Sequence, residues 1–281
     1  MPKLLYVRNL TLFALLFLMA TSCSKYQKLL KSDDIMLKKD AAIEYYYNED
    51  YHRTIGLLTD IIPAFRGTSH AETLNYYYAW AHYKQRDYIL AAHYFRTFTQ
   101  GFPRSEHAEE FLFMSAYCKY LMSPRSSLDQ TETREAISEL QSFINRFPQS
   151  EKVEEANGLI DELRQKLEDK AFNTAMLYFN IRDYTAAVTS FQNVIRDFPD
   201  TEYRESALYH IIRSHFLFAE NSIQSRQLER YQSVVRAHSR LANRFPESDY
   251  ITSANLMLSI AQNQITTLEE IAEIQRSTEN K

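Results

Sequence analysis

The sequence predicts an all-α solenoid built from about five stacked helix pairs. Three observations carry that prediction. Glycine occurs 4 times and proline 7 times in 281 residues, so little of the chain is obliged to turn. One phrase is written twice, as RDYILAAHYFRTFTQGFPRSEHAEEF at 86–111 and RDYTAAVTSFQNVIRDFPDTEYRESA at 182–207. Its landmark phenylalanines, Phe65, Phe102, Phe147, Phe198 and Phe245, recur at intervals of 37, 45, 51 and 47 residues. A single amphipathic helix pair cannot bury its apolar face alone, and stacking neighbours solves that problem.

The N-terminus is a separate element. Lys3 and Arg8 precede an apolar run, Leu10 to Ala20, and then Thr21, Ser22 and Cys23. That is the layout of a secretory signal. Eleven helical residues reach roughly 17 Å, too short for a bilayer core of about 30 Å. A spanning anchor helix is therefore not expected, and the leading segment reads as one that is cut away. Losing Lys3 and Arg8 leaves 30 basic against 36 acidic residues, a charge of −6 against −4 for the whole sequence. An acidic balance of this kind argues against a nucleic-acid binder, which needs a basic face.

Within each repeat the apolar positions follow helical periodicity. Asp50-Tyr51, Asp87-Tyr88 and Asp183-Tyr184 open three of the copies, and Glu132 and Arg230 occupy the matching places in the others. Four residues in stand Thr54, Ala91, Ala136, Ala187 and Val234. Eight in stand Leu58, Phe95, Leu140, Phe191 and His238, and eleven in stand Ile61, Phe98, Phe143, Val194 and Leu241. Steps of four, four and three trace one helix face, with a small residue where the neighbour approaches. Pro103, Pro148, Pro199 and Pro246 end each helix, because proline drives the preceding residue out of helical geometry.

Restart signals follow. Ser105, Ser150, Thr201 and Ser248 suit N-cap positions, each with an acidic residue next in line. Ser69-x-x-Glu72 and Asp129-x-x-Glu132 have the form of capping boxes. A polar insertion is expected within Leu121–Ala136, and another extends repeat five over Ala219–Arg230. Residues 151–181 lack proline and keep helical spacing, so they read as one long helix with Gly158 as the place for a kink. Five regions result. These are a signal peptide (1–22), an N-terminal linker (23–33), repeats one to three (34–149), the long helix with repeats four and five (150–268), and a polar tail (269–281).

The small-residue, aromatic and terminal-proline positions resemble the tetratricopeptide repeat, which implies a right-handed superhelix. MATSC resembles the lipobox of bacterial lipoproteins. That resemblance implies a covalent S-diacylglycerol and N-acyl group on Cys23, and Ser24, which is not Asp, implies sorting to the outer membrane. Five repeats in this order, with the Asp129-Gln130-Thr131 loop and LRQKLEDKAFNTAMLYFNIRDY leading into repeat four, resemble the BamD family of outer-membrane β-barrel assembly lipoproteins. The resemblance implies a non-catalytic scaffold on the periplasmic face of the outer membrane. Its partners would be the periplasmic domains of the barrel core subunit, other assembly lipoproteins and unfolded outer-membrane proteins. It places Arg204 and Glu205 at a partner interface. Two other assignments stay open: a periplasmic tetratricopeptide lipoprotein of division or trafficking, and a glycan-capturing lipoprotein paired with an outer-membrane transporter. The second kind uses Trp platforms on long loops, and this chain has one Trp.

Candidate binding residues come from tyrosine, which occurs 20 times. Tyr45, Tyr46 and Tyr47 form one triplet, and Tyr76, Tyr77 and Tyr78 another. Consecutive helical residues point about 100° apart, so no single face buries all three. Part of each triplet should line a groove, where a rigid ring with a hydroxyl suits an extended peptide. Catalysis has little to rest on. There is no Gly-rich phosphate loop, no Gly-x-Ser-x-Gly and no His-Glu-x-x-His, and no metal or cofactor is expected beyond the lipid. Cys118, in an apolar stretch, reads as a small buried hydrophobe.

Overall fold

In a computed structural model, residues 25–279 are described; residues 1–24, including the signal segment and Cys23, lie outside that range. Among the described residues every regular element is helical. Helical backbone at 25–30 precedes α1 (Ile35–Tyr47), α2 (Tyr51–Ile61), a 3₁₀ turn (Ile62–Phe65), α3 (Ala71–Lys84), α4 (Tyr88–Gly101) and α5 (Ala108–Met122). Then come α6 (Thr131–Arg146), α7 (Val153–Asn180), α8 (Tyr184–Asp197), α9 (Arg204–Glu220), α10 (Gln224–Arg244) and α11 (Ile251–Glu279). Helices adjacent in sequence pack together from α1 to α6 and again from α8 to α11. The all-α, tetratricopeptide-like architecture expected from the repeats is the one observed.

Two kinds of turn build it, each for a sequence reason. The first closes a pair. Thr68, Ser105, Ser150, Thr201 and Ser248 each donate a backbone N–H to the carbonyl of the landmark phenylalanine three residues earlier, at 3.0–3.2 Å. Each hydroxyl then accepts the N–H two residues on, at 3.1–3.3 Å. The serines and threonines therefore act one turn before the helix proper, as local side-chain-to-backbone turns. In the first copy the residue is Thr68, not Ser69. Glu72 does not close a capping box; it accepts a 2.6 Å hydrogen bond from Ser105 in the next turn.

The second kind joins pairs. Glu49, Arg86 and Arg182 hold left-handed backbone, with φ of 60°, 62° and 65°. At each, the next residue's N–H reaches a carbonyl five back, as from Asp87 to His82 O at 3.0 Å. The helix end is thereby closed by a Schellman arrangement. Asp50, Asp87 and Asp183 then cap the new helix through their carboxylates at 3.0–3.3 Å. The other two joints differ. Residues 123–130 form the expected loop, whereas most of Ala219–Arg230 is the helical start of α10.

The fifteen residues at the four-, eight- and eleven-residue positions are all buried, including Thr54 and His238. Thr54 Oγ1 donates to Ala42 O at 3.3 Å and Asp50 O at 3.0 Å, and His238 Nε2 lies 2.7 Å from Asn255 Oδ1, so their polarity is met. Each fully buried phenylalanine among them contributes about 1.5–3 kcal/mol. Cys118 is likewise buried, and burial pushes its thiol up to about 12.

The chain divides into two compact units. Among the described residues, the first holds those from Lys25 to Pro124 and Asp129–Leu163; the second holds Arg125–Leu128 and those from Arg164 to Glu279. The boundary falls inside α7 and not ahead of it, because Ala156, Ile160 and Leu163 are buried against Ala136, Leu140 and Phe143. Ala175 and Phe179, further along the same helix, belong to the core of the second unit. α7 passes through Gly158 without interruption. Lys170 Nζ donates to Leu128 O at 2.5 Å, which ties residues 125–128 to the second unit. Two region boundaries also differ from expectation. Part of the anticipated linker is packed, with Leu29 buried and Tyr26 edge-on to Tyr45 at 6.0 Å. A Cβ on Gly56 would collide with the Tyr26 hydroxyl, so the glycine leaves room for that ring. The anticipated tail continues α11 to Glu279, because its apolar spacing persists through Leu268 and Ile271.

Candidate functional site

Within the first unit, α1, α3 and the start of α5 enclose a groove of about 560 Å³. The two tyrosine triplets face each other because α1 and α3 pack together. Tyr46, Tyr47, Tyr76 and Tyr77 line the groove with Glu72 and His107. The Tyr46 ring lies 4.8 Å from Tyr77, edge-on, and Tyr47 and Tyr77 share a hydroxyl hydrogen bond of 2.8 Å. Tyr76 packs between His107, at 4.7 Å, and the buried ring of Phe111, at 5.3 Å. The groove wall is thus continuous with the aromatic core formed by Phe111, Phe95 and Phe98.

The remaining triplet members point elsewhere, as helical geometry requires. Tyr45 packs toward Tyr26 and the Arg53 guanidinium, which lies 5.5 Å from its centroid. Tyr78 is buried, shares a 2.9 Å hydrogen bond with Thr59 Oγ1 and packs on Tyr94 at 4.6 Å. Four of the six candidates therefore meet in one groove, and Tyr45 and Tyr78 serve the interior.

Electrostatically the groove is polar, and its lining carries no Lys or Arg. Burial is the main cause that pushes Tyr77 up to about 12, helped by its hydrogen bond to Tyr47. Burial also raises Tyr46, reinforced by the crowd of neighbouring phenols. These hydroxyls stay protonated across physiological pH and act as donors. Glu72 and Glu106 supply carboxylates at the rim. The arrangement offers flat apolar rings with hydroxyl donors and acceptors, which suits an extended polypeptide. Sequence reading missed Ser69, Glu72, Thr73, Glu106 and His107 as lining residues. They sit in the turns between helices or, for Glu72 and Thr73, at the start of α3, where only the pairing of repeats brings them to the tyrosines.

Arg204 and Glu205 open α9. The Arg204 guanidinium folds back on the end of α8, donating to Pro199 O at 2.6 Å and 3.1 Å and to Ile195 O at 3.3 Å. It meets one carbonyl that α8 leaves unpaired, that of Ile195, and the Pro199 carbonyl in the turn that follows. Glu205 lies in the first turn of α9, where the helix dipole favours a carboxylate. Among the described residues no group of His, Cys, Asp and Glu is arranged to hold a metal ion, and no helix is long and apolar enough to cross a membrane.

Stacked tetratricopeptide-like helix pairs place the chain in the class of helical-repeat proteins. Comparison with known proteins narrows it. The YfiO family, described as outer membrane lipoprotein, matches residues 39–229, and the chain belongs to that family. Among curated relatives, the outer membrane protein assembly factor BamD of Neisseria gonorrhoeae is 24% identical over 242 residues, covering 79% of this chain and 86% of its own. BamD of Pasteurella multocida is 20% identical, covering 72% of this chain and 81% of its own. BamD of Caulobacter vibrioides is 23% identical over 142 residues, and there the match spans about half of each protein, 50% and 47%. The solved tetratricopeptide domain of P58(IPK) aligns with 86% of this chain and 68% of its own at 13% identity, with a TM-score of 0.39, too low to add to the helix pairing described above.

Proposed function

We propose that this protein is a non-catalytic assembly factor for outer-membrane proteins, held on the periplasmic face of the outer membrane by lipid on Cys23. Its relatives are named as outer membrane protein assembly factors, and its family is described as outer membrane lipoprotein. The observation that carries the reading is the groove in which Tyr46, Tyr47, Tyr76 and Tyr77 converge. Unfolded barrel proteins present extended, aromatic-bearing strands, and clustered edge-on rings with hydroxyl groups match them in apolar surface and in hydrogen bonding. The barrel core subunit, through its periplasmic domains, and other assembly lipoproteins would be the standing partners, with Arg204 and Glu205 near the contact surface. Two or more acyl chains make the anchor stable, since each buried CH₂ contributes about 0.8 kcal/mol.

Peptides taken from barrel strands, titrated into the full chain, test the groove. Tyr46→Ala with Tyr77→Ala should weaken binding by about tenfold, in line with the loss of central aromatic anchors. Unchanged affinity in a folded double variant would exclude the groove as the binding site. Cys23→Ala should release the protein from membranes on fractionation, and tight association of that variant would overturn the anchor.

A further inference from the structure

The second unit carries a groove of its own, of a different chemistry. It is enclosed by α8, α9 and α10 and measures about 350 Å³, within the range of roughly 300–1,000 Å³ usual for ligand clefts. α10 reads QSRQLERYQSVVRAHSRLANR, with five arginines and one glutamate in a chain whose net charge is −4. Arg226 and Arg230, one helical turn apart, line the groove, and His215 reaches in from α9. Arg236 and Arg240 lie close enough to His215 to help burial depress its pKa, so cationic charge continues along α10 beyond the groove.

The arginine that forms the wall is held in place. The Arg230 guanidinium lies 3.7 Å from the Phe218 ring centroid and donates to Ser222 Oγ. A stacked guanidinium has already given up much of its rotational freedom, so little more is lost when an anion docks. Arg226 is exposed. Its nearest carboxylate, Glu229, is 3.8 Å away and itself 75% exposed, a weak pairing that a ligand can displace. Across the groove stand Val188, Tyr184 and the hydroxyls of Thr185 and Thr189, which give an apolar strip with hydrogen-bonding edges.

We propose that this groove binds an acidic, extended segment of a partner polypeptide, its carboxylates on Arg226 and Arg230 and the intervening side chains on Val188 and Phe218. Charge complementarity favours carboxylates, and the apolar strip favours a peptide over a bare anion. The groove of the first unit, edged by Glu72 and Glu106, would repel the same ligand. The two units thus select polypeptides of different charge. The inference goes beyond the proposed function, which rests on the tyrosine groove alone.

Fluorescence anisotropy on the full chain in detergent tests it, with a labelled ten-residue peptide of alternating Glu and Val as probe. The peptide should bind, its affinity should fall as salt rises, and a Lys-for-Glu counterpart should not bind. Arg226→Glu should weaken binding by about tenfold, the usual scale for reversing an interfacial charge. Arg236→Glu, exposed on the same helix, serves if the first variant misfolds and should weaken binding several-fold. Tyr77→Ala, which acts on the other groove, should leave the affinity for this acidic peptide unchanged, so a loss here is not a failure there. Equal binding of the Lys peptide, undiminished affinity in a folded Arg226→Glu, or inorganic phosphate alone binding as tightly as the peptide would each overturn the proposal.

Discussion

Replacing Glu49, Arg86 and Arg182 by glycine, one at a time and together, should stabilise this protein. Each residue sits in left-handed backbone at the joint between repeats, with φ between 60° and 65°. An L-residue there costs about 1–2 kcal/mol in repulsion between its Cβ and the following carbonyl. Glycine removes that repulsion but adds roughly 0.4–1 kcal/mol of backbone freedom to the unfolded chain. The difference is a gain centred on about 0.8 kcal/mol per site and at most about 1.6. All three side chains are exposed, so little packing is lost. Sites in different turns should add within a few tenths of a kcal/mol. Urea unfolding followed by circular dichroism reads the gain. Alanine at the same positions is the control, because it keeps the Cβ and should bring no gain. Asp87→Ala should cost about 1 kcal/mol through the lost cap. If glycine proves no better than alanine, the strain argument fails, and with it the reading of these joints as Schellman closures.

Three further outcomes follow from the geometry. Phe111→Ala should cost about 3–5 kcal/mol on urea unfolding, as for other buried aromatic truncations, and should loosen Tyr76, visible as weaker peptide binding in the folded fraction. Arg204→Met should cost about 0.5–1 kcal/mol, because the Pro199 carbonyl is exposed and water replaces the lost donor while the part-buried Ile195 carbonyl is less well served, and Glu205→Gln should stay within about 0.5 kcal/mol. Burial depresses the pKa of His82, His210 and His215 below the ordinary value of 6.5. The unfolded chain then binds more protons, so their share of stability is complete above about 6.5 and is lost as the pH falls below it. Urea midpoints at pH 7.5, 6.5 and 5.5 should decline in that order, and His210→Asn should flatten the decline.

The helix pairs were legible because helical period and proline act locally. The fifteen positions found by counting back from the landmark phenylalanines are the buried ones, and that pattern needs no tertiary knowledge. Four of the five Ser/Thr turns were also visible, though displaced, since a hydroxyl can cap a helix or close the turn before it and the sequence is the same; in the first copy the turn falls on Thr68 and not on Ser69. Three features were not legible. The left-handed joints fall on Glu and Arg, where no glycine announces them. The boundary inside α7 depends on which residues of a long amphipathic helix meet which neighbours. The division of each tyrosine triplet could be expected, but which members enter the groove depends on how α1 is rotated against α3. The second groove was hidden for a related reason: nothing in the spacing of Arg226 and Arg230 shows that α8 and α9 stand beside them.

The most direct test of the assembly role is affinity purification of the full chain from a detergent extract of the cell envelope, with the Cys23 anchor intact. The expected result is recovery of a large β-barrel protein bearing periplasmic repeat domains, with unfolded barrel proteins trapped by crosslinks placed at Tyr77. Recovery of division or peptidoglycan factors alone, with no barrel protein in the eluate, would contradict that role.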